Sequence, residues 1–98
     1  MLINTTTVLI DEIEKLAAAT GPNVTTKLAF DKDSRDLVII QLPGYVINVV
    51  IEDITCVSVF LLNDPGVLLA QAGLSGSPSI AATMTLNAIT SFLDFIED

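Results

Sequence analysis

The chain contains no histidine and no tryptophan, a single cysteine, and only four lysines and arginines among its 98 residues. Each shortage excludes something. Without histidine there is no imidazole to activate a serine or cysteine nucleophile, and no imidazole to ligate a metal. With one cysteine there is no disulfide framework within the chain, and a reducing compartment is permitted. That residue, Cys56, sits in an apolar run and reads as a small core side chain. Twelve Asp and Glu against four cations leave a net charge of −8. Phosphate backbones and anionic membrane surfaces would find no cluster of cations here, so direct nucleic-acid binding is not expected. The stretch Met1 to Ile10 has neither a basic start nor a small-residue cleavage site. A cytoplasmic protein is therefore expected, and the glycosylation triplets Asn4-Thr5-Thr6 and Asn23-Val24-Thr25 carry little weight.

What is present is largely apolar. Hydrophobic residues make up 51% of the chain, charged residues only 16%, and the mean hydropathy is +0.68. Ordinary domains carry about 25% charged residues. The length suits a single domain, residues 1–98. One small core cannot hide this much apolar surface, so part of it is expected against another copy or a partner. No charge occurs between Pro65 and Leu93, but Gly66, Gly73, Gly76 and Pro78 interrupt that stretch, so a membrane span is not expected.

Periodicity assigns the elements. Leu9, Ile13, Leu16 and Ala17 recur at helical spacing, with Asp11, Glu12, Glu14 and Lys15 on the other side. The spacing predicts a helix from about Thr5 to Thr20, with Asn4 as N-cap, an Asp11–Lys15 pair, and Gly21-Pro22 as the stop. The period then becomes two: Val24, Thr26, Leu28 and Phe30 alternate with Thr25, Lys27, Ala29 and Asp31. Asp31 to Asp36 reads as a hairpin loop, Leu37–Leu42 as a second strand, and Pro43-Gly44 as a type II turn with Gly44 at positive φ. Tyr45–Glu52 and Thr55–Leu62 follow as strands. Strands two to four are apolar on both faces: one can meet helices, and the other needs a cover too.

Asp64-Pro65 reads as a helix cap followed by proline at the first helical position. It predicts a short helix from Val67 to Ala72, closed by Gly73. Ser77-Pro78 repeats the signal for a last helix running to about Ile96. The polar strip of that helix is Thr83, Asn87, Thr90, Ser91 and Asp94; the rest is mostly apolar, a wider arc than one core contact needs. Asp94, Glu97 and Asp98 crowd its C-terminal end, where the helix dipole disfavours anions. The expected fold class is α+β: an N-terminal helix, a four-stranded antiparallel meander, then a short and a long C-terminal helix packed on the sheet.

Catalytic and ligand-binding arrangements are scarce. Glu52 and Asp53 are adjacent strand residues and point to opposite faces, so they do not converge for acid–base work. Asp31, Asp33, Ser34 and Asp36 resemble a calcium loop, but lack its central glycine and terminal glutamate. Gly73-Leu74-Ser75-Gly76-Ser77 precedes a helix but lacks the lysine of a nucleotide loop. The reading is of a protein that is not an enzyme and holds no metal or cofactor.

A resemblance runs through Leu9-Ile10 to Leu16-Ala17, Gly21-Pro22, Leu28-Ala29-Phe30-Asp31-Lys32-Asp33, Leu37-Val38-Ile39-Ile40 and the closing Phe92-Leu93-Asp94-Phe95-Ile96-Glu97. In these pieces the chain resembles class I type III secretion chaperones. Those are small acidic dimers that hold effector chains before export. The resemblance implies a chaperone-like protein-binding homodimer.

The functional expectation is thus a non-catalytic module, a small acidic homodimer or higher homo-oligomer that holds or blocks a protein partner. The alternative is a phage or mobile-element inhibitor, of the anti-CRISPR or anti-restriction type. Such a protein would set an acidic surface in a nucleic-acid-binding site of a host protein. Candidate partner-binding residues are Leu86, Phe92 and Phe95 on the last helix, and the acidic groups Asp31, Asp33, Asp36, Glu52 and Asp53.

Overall fold

The computed structural model describes residue 3 and residues 5–97. It is α+β, in the order α1 (Thr6–Thr20), β1 (Thr25–Phe30), β2 (Asp36–Leu42), β3 (Tyr45–Asp53), β4 (Cys56–Asn63), β5 (Leu68–Ser75) and α2 (Pro78–Glu97). The five strands form one antiparallel sheet in simple sequence order.

The first helix follows its apolar spacing, burying Leu9, Ile13 and Ala17. Its cap is Thr5, whose hydroxyl accepts from the Val8 amide at 3.2 Å; the expected cap, Asn4, lies outside the described residues. Lys15 pairs with Glu12, three residues before it, at 3.4 Å rather than with Asp11, four residues before it. Pro43-Gly44 turns β2 into β3, and Gly44 adopts φ 80°, the positive value that a type II turn demands at its third residue.

Two expectations fail together. The sheet has five strands, not four, and the segment expected as a short helix from Val67 to Ala72 is part of the β4–β5 hairpin. Asp64-Pro65-Gly66 is a turn. Asn63 closes it by donating its backbone amide to the Val67 carbonyl at 3.0 Å, while its side-chain oxygen accepts from the Val67 amide at 2.9 Å. Gly66, at φ 114°, supplies the backbone conformation. Ser77-Pro78 does open α2, with the Ala81 amide bonded to the Ser77 carbonyl at 2.8 Å.

Alternation along the strands separates two faces of the sheet. Val38, Ile40, Ile47, Val49, Ile51, Val57, Val59 and Leu61 are buried with Leu9, Ile13 and Ala17 of α1 and Ala82, Ile89 and Leu93 of α2. Both helices therefore lie on one face and share one core. The buried Thr85 satisfies its hydroxyl by donating to the Ala81 carbonyl at 2.8 Å. Cys56 is not in this core. It is only partly buried, at the start of β4 and on the parity opposite Val57 and Val59.

Candidate functional site

The second face of the sheet has no helix over it. Its side chains come from the strand positions between the core residues. Paired strands carry them in rows: Lys27, Ile39, Asn48, Phe60 and Gln71 lie across the sheet, flanked by Ala29, Leu37, Val50, Ser58 and Gly73 on one side. On the other side the row is Thr25, Gln41, Val46, Leu62 and Leu68. Leu37, Ile39, Val46, Val50, Phe60 and Leu62 form its apolar middle and are shielded only by one another, so each is half-buried. Leu68 is 48% exposed at the edge. A hollow of about 370 Å³ lies beside Phe60, bounded by Ser58, Gln71, Ala72 and Gly73. Charges stand at the margins, Lys27 on β1 and Glu52 at the end of β3, with Arg35 close enough to interact with Glu52.

Asn48 occupies the middle of this face, on the central strand. Its side-chain oxygen is shielded from solvent and accepts no hydrogen bond. An unsatisfied buried acceptor costs about 1–3 kcal/mol. No other described buried side-chain nitrogen or oxygen lacks a partner.

The acidic candidates take a different place. In a meander the β1–β2 and β3–β4 turns return to the same end of the sheet, so Asp31, Asp33, Asp36, Glu52 and Asp53 gather there. Each is already engaged or diluted. Asp31 accepts from the Asp33 and Arg35 amides at 2.9 and 2.8 Å, and from Arg35 Nε at 2.7 Å. Partial burial alone would raise the Asp31 carboxyl, but these hydrogen bonds and the Arg35 charge outweigh it and hold the group below the ordinary aspartate value. The same contact holds the Arg35 guanidinium above its ordinary value. Arg35 also reaches Asp33 at 3.3 Å. Asp53 caps the β3–β4 turn, accepting from the Thr55 hydroxyl and, at 2.7 Å, from its amide; these bonds lower its pKa.

Cys56 donates to Glu52 at 3.3 Å. That hydrogen bond, then burial and the nearby negative charges, push the thiol up, which disfavours the thiolate a nucleophile needs. Glu52 and Asp53 engage different partners, Cys56 and Thr55, and a register shift separates Ile51 from Asp53. Among the described residues no group of three or more Cys, Asp or Glu is placed to hold a metal ion. A cleft of about 430 Å³ at the opposite end of the sheet runs between the β2–β3 and β4–β5 turns, lined by Gln41, Tyr45, Asn63 and Asp64 among others. The Asp64 amide donates to the Gly44 carbonyl across it at 2.9 Å.

The helix candidates divide. Leu86 and Phe92 are partly buried and pack against the core, whereas Phe95 is 60% exposed. Phe95 shares the outer side of α2 with Ile80 and Met84, interrupted by the exposed polar strip Thr83, Asn87, Thr90, Ser91 and Asp94. By length and hydropathy α2 could cross a membrane, yet Ala81, Ala82, Thr85, Ile89 and Leu93 are buried in the protein. Sequence reasoning passed over Ile39, Asn48, Val50 and Phe60. The signal was in the sequence: strands apolar at both parities, with one amide in the middle of Tyr45-Val46-Ile47-Asn48-Val49-Val50-Ile51. Compared with family models, curated proteins and solved structures, the chain finds no match.

Proposed function

We propose that this chain is a non-catalytic protein-binding module, a small acidic homodimer that holds or blocks a protein partner in a chaperone-like way in the cytoplasm. The observation that carries this reading is the uncovered apolar face of the sheet. A sheet with one face in a core and one in water ordinarily alternates apolar with polar residues. Here the water-side positions of β2, β3 and β4 are mostly Leu, Ile, Val and Phe. A contiguous apolar patch of that kind marks an interaction surface. The low thiolate character of Cys56 and the self-engaged carboxylates at the hairpin end give catalysis little to work with.

The second reading is the acidic inhibitor that occupies a nucleic-acid-binding site. In its favour, the meander gathers five candidate carboxylates at one end of the sheet. Against it, Arg35 sits among them and already bonds Asp31 and Asp33.

Salt separates the two. Affinity capture from the native cells would identify the partner, and the binding constant would then be measured over a range of salt. A holder that binds through apolar surface keeps its affinity as salt rises. A steep loss with salt supports the acidic inhibitor instead, because screened charges would then supply the binding.

A further inference from the structure

We propose that a second copy of this chain docks on the open face, sheet against sheet, with the two-fold axis passing over Asn48. This rests on the homodimeric reading above and adds the surface and the geometry. Three observations support a second copy: the area suits a stable interface, and the other two favour this chain over a different protein.

The first is area. Five strands about 4.8 Å apart, with some seven residues each at about 3.4 Å per residue, span roughly 24 by 24 Å, or ~600 Å² before side-chain relief is counted. Stable dimers bury about 800 Å² per partner, so the face is the right size to be used whole.

The second is Asn48. A two-fold interface sets the same patch against itself, so a residue under the axis meets its own copy. A primary amide has both donor and acceptor, and two of them pair with each other. The side-chain oxygen of Asn48 lacks a donor within the chain, and a turn about its soft terminal torsion presents the amide to the facing copy. The pair would satisfy an acceptor that is otherwise orphaned, and would fix the alignment much as a lone buried asparagine fixes a coiled coil.

The third is the match under that operation. An axis along β3 lays β2 over β4 of the second copy and keeps the two sheets near the aligned packing angle. Ile39 then faces Phe60 of the second copy, and Lys27 faces Gln71 of the second copy, so no like charges meet in the interior. Along β3 itself Val46, Asn48 and Val50 meet their own copies, and of the charged strand residues only Glu52, at the wet margin, does so.

The test is sedimentation equilibrium of the full chain and of Asn48→Asp at micromolar concentration, with circular dichroism to report folding. The unmodified chain is expected at twice its 10.4 kDa mass at hundreds of micromolar and to dissociate toward the low-micromolar end. Asn48→Asp places two carboxylates under the axis and is expected to fold but to raise the dissociation constant by roughly a hundredfold or more, since opposed like charges at an interface cost several kcal/mol. A dimeric parent with an equally dimeric, folded Asn48→Asp overturns the placement while leaving a homodimer standing. A parent that stays at 10.4 kDa overturns both. Should Asn48→Asp unfold, Asn48→Cys in a Cys56→Ser background decides the matter. Facing sheets about 10 Å apart hold these thiols beyond disulfide reach, so a short bismaleimide is the reagent: it is expected to link the two copies covalently, and a dimer that resists this cross-link refutes the axis.

Discussion

Ile39 and Ile40 are neighbours on β2 with the same side chain and opposite surroundings. Ile40 is completely buried in the core, and Ile39 lies half-buried on the open face. Truncation to alanine removes three carbons from either, worth about 2.4 kcal/mol of transfer free energy when fully buried, at ~0.8 kcal/mol each. Ile40→Ala also leaves a cavity in the core that the strands share with the two helices, so its total should reach about 3–4 kcal/mol, within the usual range for such changes. Ile39→Ala opens no cavity in the single chain, and half the transfer term gives roughly 1 kcal/mol. Urea unfolding at low and high protein concentration measures both. Ile40→Ala should lower the midpoint strongly at every concentration. Ile39→Ala should matter little in dilute solution and more at high concentration, where assembly adds to the stability of the native state. Equal costs in dilute solution, or a larger cost at Ile39, would refute the assignment of the helices to the Ile40 face.

Other consequences concern the turns and the thiol. The depressed pKa of Asp31 means that its contribution to stability is present above the ordinary aspartate value of 3.8 and is lost as pH falls through the lower folded value. NMR titration of Arg35→Gln should show the Asp31 midpoint moving up; an unchanged midpoint would contradict the role given to Arg35. Cys56 should alkylate slowly at mildly alkaline pH, and Glu52→Gln should accelerate it, because the Glu52 carboxylate holds the thiol protonated. Equal alkylation rates would remove Glu52 as the cause. Gly44→Ala, at φ 80°, should cost about 1 kcal/mol or more, measured by thermal unfolding.

Much of the fold is legible in the sequence because local signals and tertiary demands agree. The spacing of Leu9, Ile13 and Ala17, the hairpin loop Asp31 to Asp36, whose last residue proves to open β2, and Pro43-Gly44 each specify their element unaided. The β5 segment was not legible. Leu68, Leu69, Ala70, Gln71 and Ala72 are good helix formers, and Asp-Pro opens helices and turns alike. Pairing with β4 overrides that preference, and Gly73, which resembles a helix stop, lies in the strand opposite Ser58. The surface was half legible. The doubly apolar strands announce a second face that needs a cover, but a helix with apolar residues on most sides drew attention to Leu86, Phe92 and Phe95. The width of that arc has a plain cause: α2 faces the sheet with one side and α1 with another, so Leu86 and Phe92 are used within the chain. Asn48 is invisible to a reading by hydropathy, which registers an apolar strand and passes over its one amide.

The central claim, that the open face of the sheet is the binding surface, is tested most directly by an NMR dilution series on the unmodified chain. Resonances of the Asn48 side-chain amide and the methyl groups of Ile39, Val50 and Leu62 should shift together between millimolar and low-micromolar protein, while those of Ile80, Met84 and Phe95 on α2 stay fixed. Shifts confined to α2, or a spectrum that does not change with dilution while the mass remains 10.4 kDa, would contradict it.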